Sequence, residues 1–287
     1  MTVKWGFTTS RPTDARYGDD VAKYAMSDGD QGLKTFVREV LQNSNDARLE
    51  NEEPAEVTFR IERLEGEELE EYLDALDAST WSQHAALAKE TESGEYISDA
   101  MERIEEEEAL RVLTIEDENT EGLLGAETAD ESNFTALVRD VLFSSKSGDA
   151  AGGSYGLGKA VLWLFSGLSM VLFNSTLSEA DPEDNSPRLI GRTRLPTHKS
   201  DDGDTVYQGH GWFGRSEDTD EGGNARPESV WGEDAESIAE SLGLTRPEGP
   251  GTSIQVVDFR VPTAEERMSD DDLAEQITEQ AIDWFWP

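Results

Sequence analysis

From Leu33 the apolar positions recur at helical spacing. Leu33, Phe36, Val37, Val40, Leu41 and Ser44 fill one arc, the run Asp28 to Gly32 can cap its start, and Glu53-Pro54 ends it. Val57, Phe59 and Ile61 then alternate with Thr58, Arg60 and Glu62, which predicts a half-buried strand. Between Glu62 and Glu108 lie 17 acids and three basic residues, with Leu69, Tyr72, Leu73 and Leu76 at helical spacing. This stretch reads as an insertion of two or three acidic helices packed on the outside.

Further on, Leu110 to Ile115 predicts a second strand, Asn133 to Phe143 a helix, and Ser144 to Lys159 a Gly-rich run. Ala160 to Phe165 continues as a helix, Leu168 to Phe173 as a buried strand, and Arg188 to Leu195 as another. Ser178 to Pro187 and Arg215 to Pro227 read as polar loops. Ser253 to Phe259 is a late strand announced by Gly249 to Thr252, and Ala264 to Asp283 a closing helix. Thr2 to Asp30 shows no period and reads as an N-terminal strap. Trp284-Phe285-Trp286-Pro287 ends so abruptly that the natural chain is expected to continue. No internal repeat is evident.

Composition narrows the function classes. The 287 residues carry 24 Lys+Arg against 63 Asp+Glu, a formal net charge of −39, yet 36% are hydrophobic, with 7 Trp, 10 Phe and 6 Tyr. That is enough apolar material for a core, unlike a disordered acidic chain. A basic footprint for naked nucleic acid or an anionic membrane is lacking. No apolar run approaches the ~20 residues of a membrane span, and no signal-peptide pattern is present, so a cytoplasmic location is expected. The chain has no cysteine, which excludes disulfides, thiolate metal sites and a Cys nucleophile. The acids are spread along the whole length and only seven bases are lysine. This suits a surface adapted to high salt better than a phosphate mimic, which would group them in one stripe.

On the first helix, Glu39, Asn43 and Asp46 fall within an arc of about 60° that borders the apolar stripe. Two acids and an amide at a core boundary need a partner; a metal-bound phosphate would serve, with the amide ligating Mg²⁺ and a carboxylate activating water. An ordinary amphipathic helix with a polar shoulder is the plainer reading.

Four segments in order change that balance. Glu39-x-x-x-Asn43-x-x-Asp46-Ala47 resembles the N-box of the GHKL ATPase superfamily (gyrase B, Hsp90, MutL and MORC proteins). Asp117 to Gly122, after a strand, resembles its Asp-x-Gly-x-Gly motif, although it spans one residue more and Asn119-Thr120 replaces the first glycine. Gly153-Ser154-Tyr155-Gly156-Leu157-Gly158-Lys159 resembles the lid motif, and Gly251-Thr252 the fourth element. The resemblance implies an α/β (α+β) two-layer sandwich of the Bergerat type over residues 33–263. It would have a mixed sheet with helices on one face, a strap at 1–32, the acidic insertion at about 63–108 and a C-terminal helix at 264–287.

It further implies Mg²⁺-dependent ATP binding and hydrolysis. Glu39 would be the general base and Asn43 the Mg²⁺ ligand. Asp46 and Ala47 would line the nucleotide wall, and Asp117 would read adenine, with Asn119 and Gly122 nearby. Gly153, Ser154, Tyr155, Gly156, Leu157, Gly158 and Lys159 would close over the phosphates, with Lys159 as phosphate partner and Thr252 closing the adenine pocket. ATP would drive homodimerisation, the strap being an exchange element, and so work a DNA-processing, defence or chaperone-like machine through partner proteins or a downstream domain. Lys146 and Lys159 are the cations nearest the lid, and binding should improve with salt and Mg²⁺.

A non-hydrolysing, nucleotide-gated interaction module stays open as the alternative. Gly153-x-x-x-x-Gly158-Lys159 also fits a P-loop, but Ala160 stands where Ser or Thr is needed. A histidine kinase would need a phosphoacceptor, and His84, His198 and His210 lie in acidic or loop surroundings.

Overall fold

The computed structural model describes residues 2–11, 13–14, 32–51, 53–140, 157–179, 186–216, 226–262 and 268–285. Its strands are β1 (Thr2–Ser10), β2 (Glu56–Glu65), β3 (Ala109–Glu118), β4 (Met170–Thr176), β5 (Arg188–Arg194), β6 (His198–Lys199), β7 (Val206–Ser216), β8 (Val230–Trp231) and β9 (Gly251–Val257). Its helices are α1 (Gly32–Asp46), α2 (Gly66–Ala75), α3 (Ala78–Ala88), α4 (Glu92–Glu107), α5 (Leu157–Leu164), α6 (Gly232–Ser241) and α7 (Asp270–Phe285).

The strands form one open sheet in the order β1-β7-β5-β4-β9-β3-β2, with β6 on β7 and β8 on β5. Every described pairing is antiparallel, so the expected mixed sheet is corrected to an antiparallel one. The chain is thus of the α+β class. Among the described residues no helix is long and apolar enough to cross a membrane.

The second correction concerns layers. Side chains alternate across a strand, and in β3 and β4 both sets are apolar. Leu110, Val112, Met170 and Leu172 join one buried cluster; Leu113, Ile115, Val171 and Phe173 join another. The first is completed by the insertion, through Leu69, Tyr72, Trp81, Ala85, Ile97 and Ala100, and by Ala235 and Ala239 of α6. The second is completed by Phe36, Val37 and Val40 of α1, Trp163 of α5, and Leu273 and Ile277 of α7. Helices therefore cover both faces, not one. The insertion exists as three helices, and its apolar spacing is what roofs the face that carries the first cluster.

Three of the longer elements went unread, as did the two-residue strands β6 and β8. β1 falls within the expected strap: only Trp5 and Phe7 are buried, as befits an edge strand. Trp5 anchors it, its indole N–H donating to the Leu76 carbonyl (2.8 Å). β7 is interrupted by Gly209, Gly211 and Gly214, which mask its period. A Cβ at Gly211 would come within 2.6 Å of the Phe7 ring. α6 is a ten-residue helix with two small alanines on its buried side. Of the expected helix Asn133 to Phe143, the described part is helical at 133–134 and runs into a π turn at Thr135–Arg139, and Asp140 is already extended. Residues beyond it to 156 lie outside the described set.

Candidate functional site

α1 buries Leu33, Phe36, Val37, Val40 and Ser44. Ser44 is the informative member, a hydroxyl in an otherwise apolar stripe. It donates to Asp117 Oδ2 (3.1 Å) at the end of β3. Asp117 is 8% exposed, and its other oxygen accepts from Thr120 Oγ1 (2.6 Å) and from the Thr252 backbone N–H (2.8 Å) at the start of β9. The antiparallel register explains the convergence: Ser175 and Thr176 at the end of β4 lie opposite Thr252 and Gly251. The ends of β3 and β4, the start of β9 and the last turn of α1 meet at one polar end of the sheet.

Further hydroxyls finish this end. Ser175 Oγ lies 3.1 Å from Thr252 Oγ1, donates to Gly251 O (2.9 Å) and accepts from the Leu123 N–H (2.8 Å). Arg246, from the loop after α6, donates to the Asp117 carbonyl (2.8 Å) and to Ser253 Oγ (2.9 Å). Burial pulls the Arg246 guanidinium below its ordinary range, against the opposing pull of Asp117, Glu116 and Glu118. Thr120, Ser175 and Arg246 carry no motif signal and become partners only once the strand ends meet.

Asn119 and Gly122 take local roles in the same loop. Asn119 has φ +57°, a left-handed conformation that asparagine tolerates. Its side chain is directed to Asn51 and to the carbonyls of Glu53 and Pro54. Gly122 has φ +73°, and a Cβ there would stand 2.5 Å from the Thr176 carbonyl oxygen. The loop is stitched to the end of α1, since Glu121 N–H donates to Ala47 O (2.8 Å) and Leu49 N–H to Asn119 O (3.1 Å).

Glu39 and Asn43 lie half-buried on α1, whereas Asp46 is exposed. The Glu39 side chain is 13% exposed and its Oε1 accepts from Arg38 (2.8 Å). Arg38 and Lys34 both reach the ring of Trp284 on α7, each 5.3 Å from its centroid. Asn43's side chain makes no hydrogen bond with the described residues, leaving its amide oxygen available. Of the lid, Gly153, Ser154, Tyr155 and Gly156 lie outside the described residues, as does Lys146. Leu157, Gly158 and Lys159 are described in backbone only, as the first turn of α5. The structure thus gathers Ser44, Asp117 and Thr252, with Ala47, Asn119 and Gly122 in the adjoining loop contacts, and sets Glu39 and Asn43 on the helix that reaches them.

Among the described residues no group of three or more His, Asp or Glu side chains is arranged to hold a metal. A cation here would be shared between Asn43 and a ligand's own oxygens, the usual situation for Mg²⁺ with nucleotide phosphates. No protein-family model, curated protein or solved structure matched the chain.

Proposed function

We propose that this chain is a GHKL-type domain with a Bergerat fold that binds ATP with Mg²⁺ and hydrolyses it. The observation that carries the reading is the Asp117 carboxylate, buried and held by Ser44, Thr120 and Thr252 at a sheet end shared with α1. A carboxylate has about four lone-pair sites. Three are used here, two of them on Oδ1, so Oδ2 retains one acceptor position, suited to the amino group of adenine.

The remaining chemistry is assigned along α1. Asn43 offers one amide oxygen for Mg²⁺, which supplies charge neutralisation at the phosphates when bound. Glu39 accepts a proton from water as the water oxygen bonds to the γ-phosphorus and the β–γ bridging P–O bond breaks, giving ADP and phosphate. Residues 152–159, with Lys159, close over the phosphates, and closure favours pairing of two such domains. That pairing would work a DNA-processing, defence or chaperone-like machine.

One observation favours a slower variant of the same reading. Arg38 donates to Glu39 Oε1, so one of the two oxygens that would receive the water's proton is already occupied, as a nucleotide-gated module without hydrolysis would need. Titration with Mg-ATP in molar KCl, followed by single-turnover hydrolysis in wild type and Glu39→Gln, separates them. The ATPase reading expects binding in both and a loss of about 100-fold or more in rate in the variant. Equal rates remove the base assignment, and absence of binding in wild type removes the nucleotide reading.

A further inference from the structure

β5 carries Arg188, Arg192 and Arg194 on the sheet face that α1 and α5 cover, and their surroundings differ. Arg188 is fully buried and fully matched: Glu127 lies 2.9 Å away, the Leu123 and Gly125 carbonyls accept from Nη1, and Ser229 accepts from Nε. Arg192 and Arg194 are 2% and 8% exposed, yet neither is in an ion pair with a carboxylate among the described residues; Asp140, whose charge reaches Arg192, pairs with Arg139 instead. Arg192 is fixed by Nη1, which donates to the carbonyls of Val138 and Arg139, and by the Trp212 ring 4.0 Å from its Cζ. Arg194 lies 3.8 Å over the Trp163 ring.

Three buried atoms in this pair lack an acceptor: Arg192 Nε, Arg194 Nε and Arg194 Nη1. A buried guanidinium without an acceptor is costly, and two of them together repel. An indole ring supplies no hydrogen-bond acceptor to a guanidinium in its plane, so the Trp212 and Trp163 rings leave the orphaned N–H groups without a partner, where an anion would serve. Two residues apart on one strand face, the side chains start about 6–7 Å from each other. His210 pairs directly with Arg194 in the β5–β7 register. Its pKa is pushed down to about 3 by burial and by these two arginines, so at neutral pH it adds no charge.

We propose that Arg192 and Arg194, beside His210, form an internal site for a small monovalent anion, chloride being the abundant one in a high-salt medium. The site sits along β5 and does not depend on the nucleotide reading. It makes the anion part of the core: one halide supplies the acceptor that the three orphaned N–H groups lack and adds to the negative charge facing the two guanidinium groups.

The test varies chloride from zero to 200 mM at constant total potassium, with gluconate as the balancing anion, and follows thermal unfolding. The expected result for wild type is a saturable rise in Tm, about 4–5 °C at a hundredfold excess over the dissociation constant, absent in Arg194→Met. A flat wild-type profile, or an equal rise in the variant, overturns the proposal. Crystals of the wild-type protein soaked in bromide give a reading that needs no variant. An anomalous peak within hydrogen-bond distance of both guanidinium groups supports the site; a carboxylate of the chain in that place overturns it.

Discussion

Replacing Asp117 by asparagine tests the binding reading with least damage to the fold. The amide is isosteric and its oxygen can still accept from Thr120 Oγ1 and the Thr252 N–H. Ser44 Oγ can turn its hydrogen to the Val40 carbonyl, 3.4 Å away, and accept from the new Nδ2. What the fold loses is the charge assistance of three hydrogen bonds, about 1–2 kcal/mol. For a chain of this size that is a fall of about 2–3 °C in Tm. Binding loses more, because Nδ2 now presents a donor where adenine's amino group needs an acceptor. One charged hydrogen bond is worth about 1.5–3 kcal/mol and an unmatched donor costs about 1–3 kcal/mol. The sum is at least about 100-fold in affinity. Calorimetric titration of Mg-ATP in molar KCl, beside a thermal melt of the same sample, reads both. A variant that melts as predicted but binds ATP with wild-type affinity would refute the pocket.

Two other outcomes follow from geometry described above. Gly122→Ala forces a side chain at φ +73° against the Thr176 carbonyl, so stability should fall by about 2–4 kcal/mol in denaturant titration, with Gly203→Ala as the strained but uncrowded control. The second concerns acid. Burial depresses all three histidines, His84 to about 4 with a contribution from His198, His210 to about 3, and His198 in the same direction. Each is charged in the unfolded chain below about pH 6.5 but neutral in the fold. Stability is therefore full above that pH and is lost as pH falls towards the folded values. His210 alone accounts for at most about 1.4 kcal/mol per pH unit. The urea midpoint should drop between pH 7 and pH 5, and an unchanged midpoint would contradict the burial of these rings.

The sequence was most readable where one residue pattern has one physical cause. β3 and β4 are buried on both sides, so their apolar runs stand out and their limits fall within a few residues of expectation. β1 and β7 hide their period because one is an edge strand and the other needs glycines where Phe7, the Leu195 carbonyl and the Glu228 carbonyl approach. The layering was misjudged because acids dominate the insertion's composition, while a few well-spaced residues, Leu69, Tyr72, Trp81 and Ile97, decide where it packs. At the candidate site, Asp117 and Thr252 were visible through motif spacing, and Ser44 through its place in an apolar arc. Arg246 was not, because nothing near it in sequence shows that the loop after α6 returns to the end of β3.

The strand order has a consequence for how the chain comes to be folded. β9 lies between β3 and β4, yet about 140 residues separate the end of β3 from the end of β9. At 5–20 residues per second, ribosomal synthesis leaves the inner edge of β3 without its partner for on the order of 10–30 s. During that interval β2 and β3 can pair and the three acidic helices can close over one side of the hairpin. The nascent half-sheet then waits with one open edge inside a strongly negative shell. Mutual repulsion between such chains on neighbouring ribosomes would keep those edges apart until residues 251–257 emerge and fill the gap.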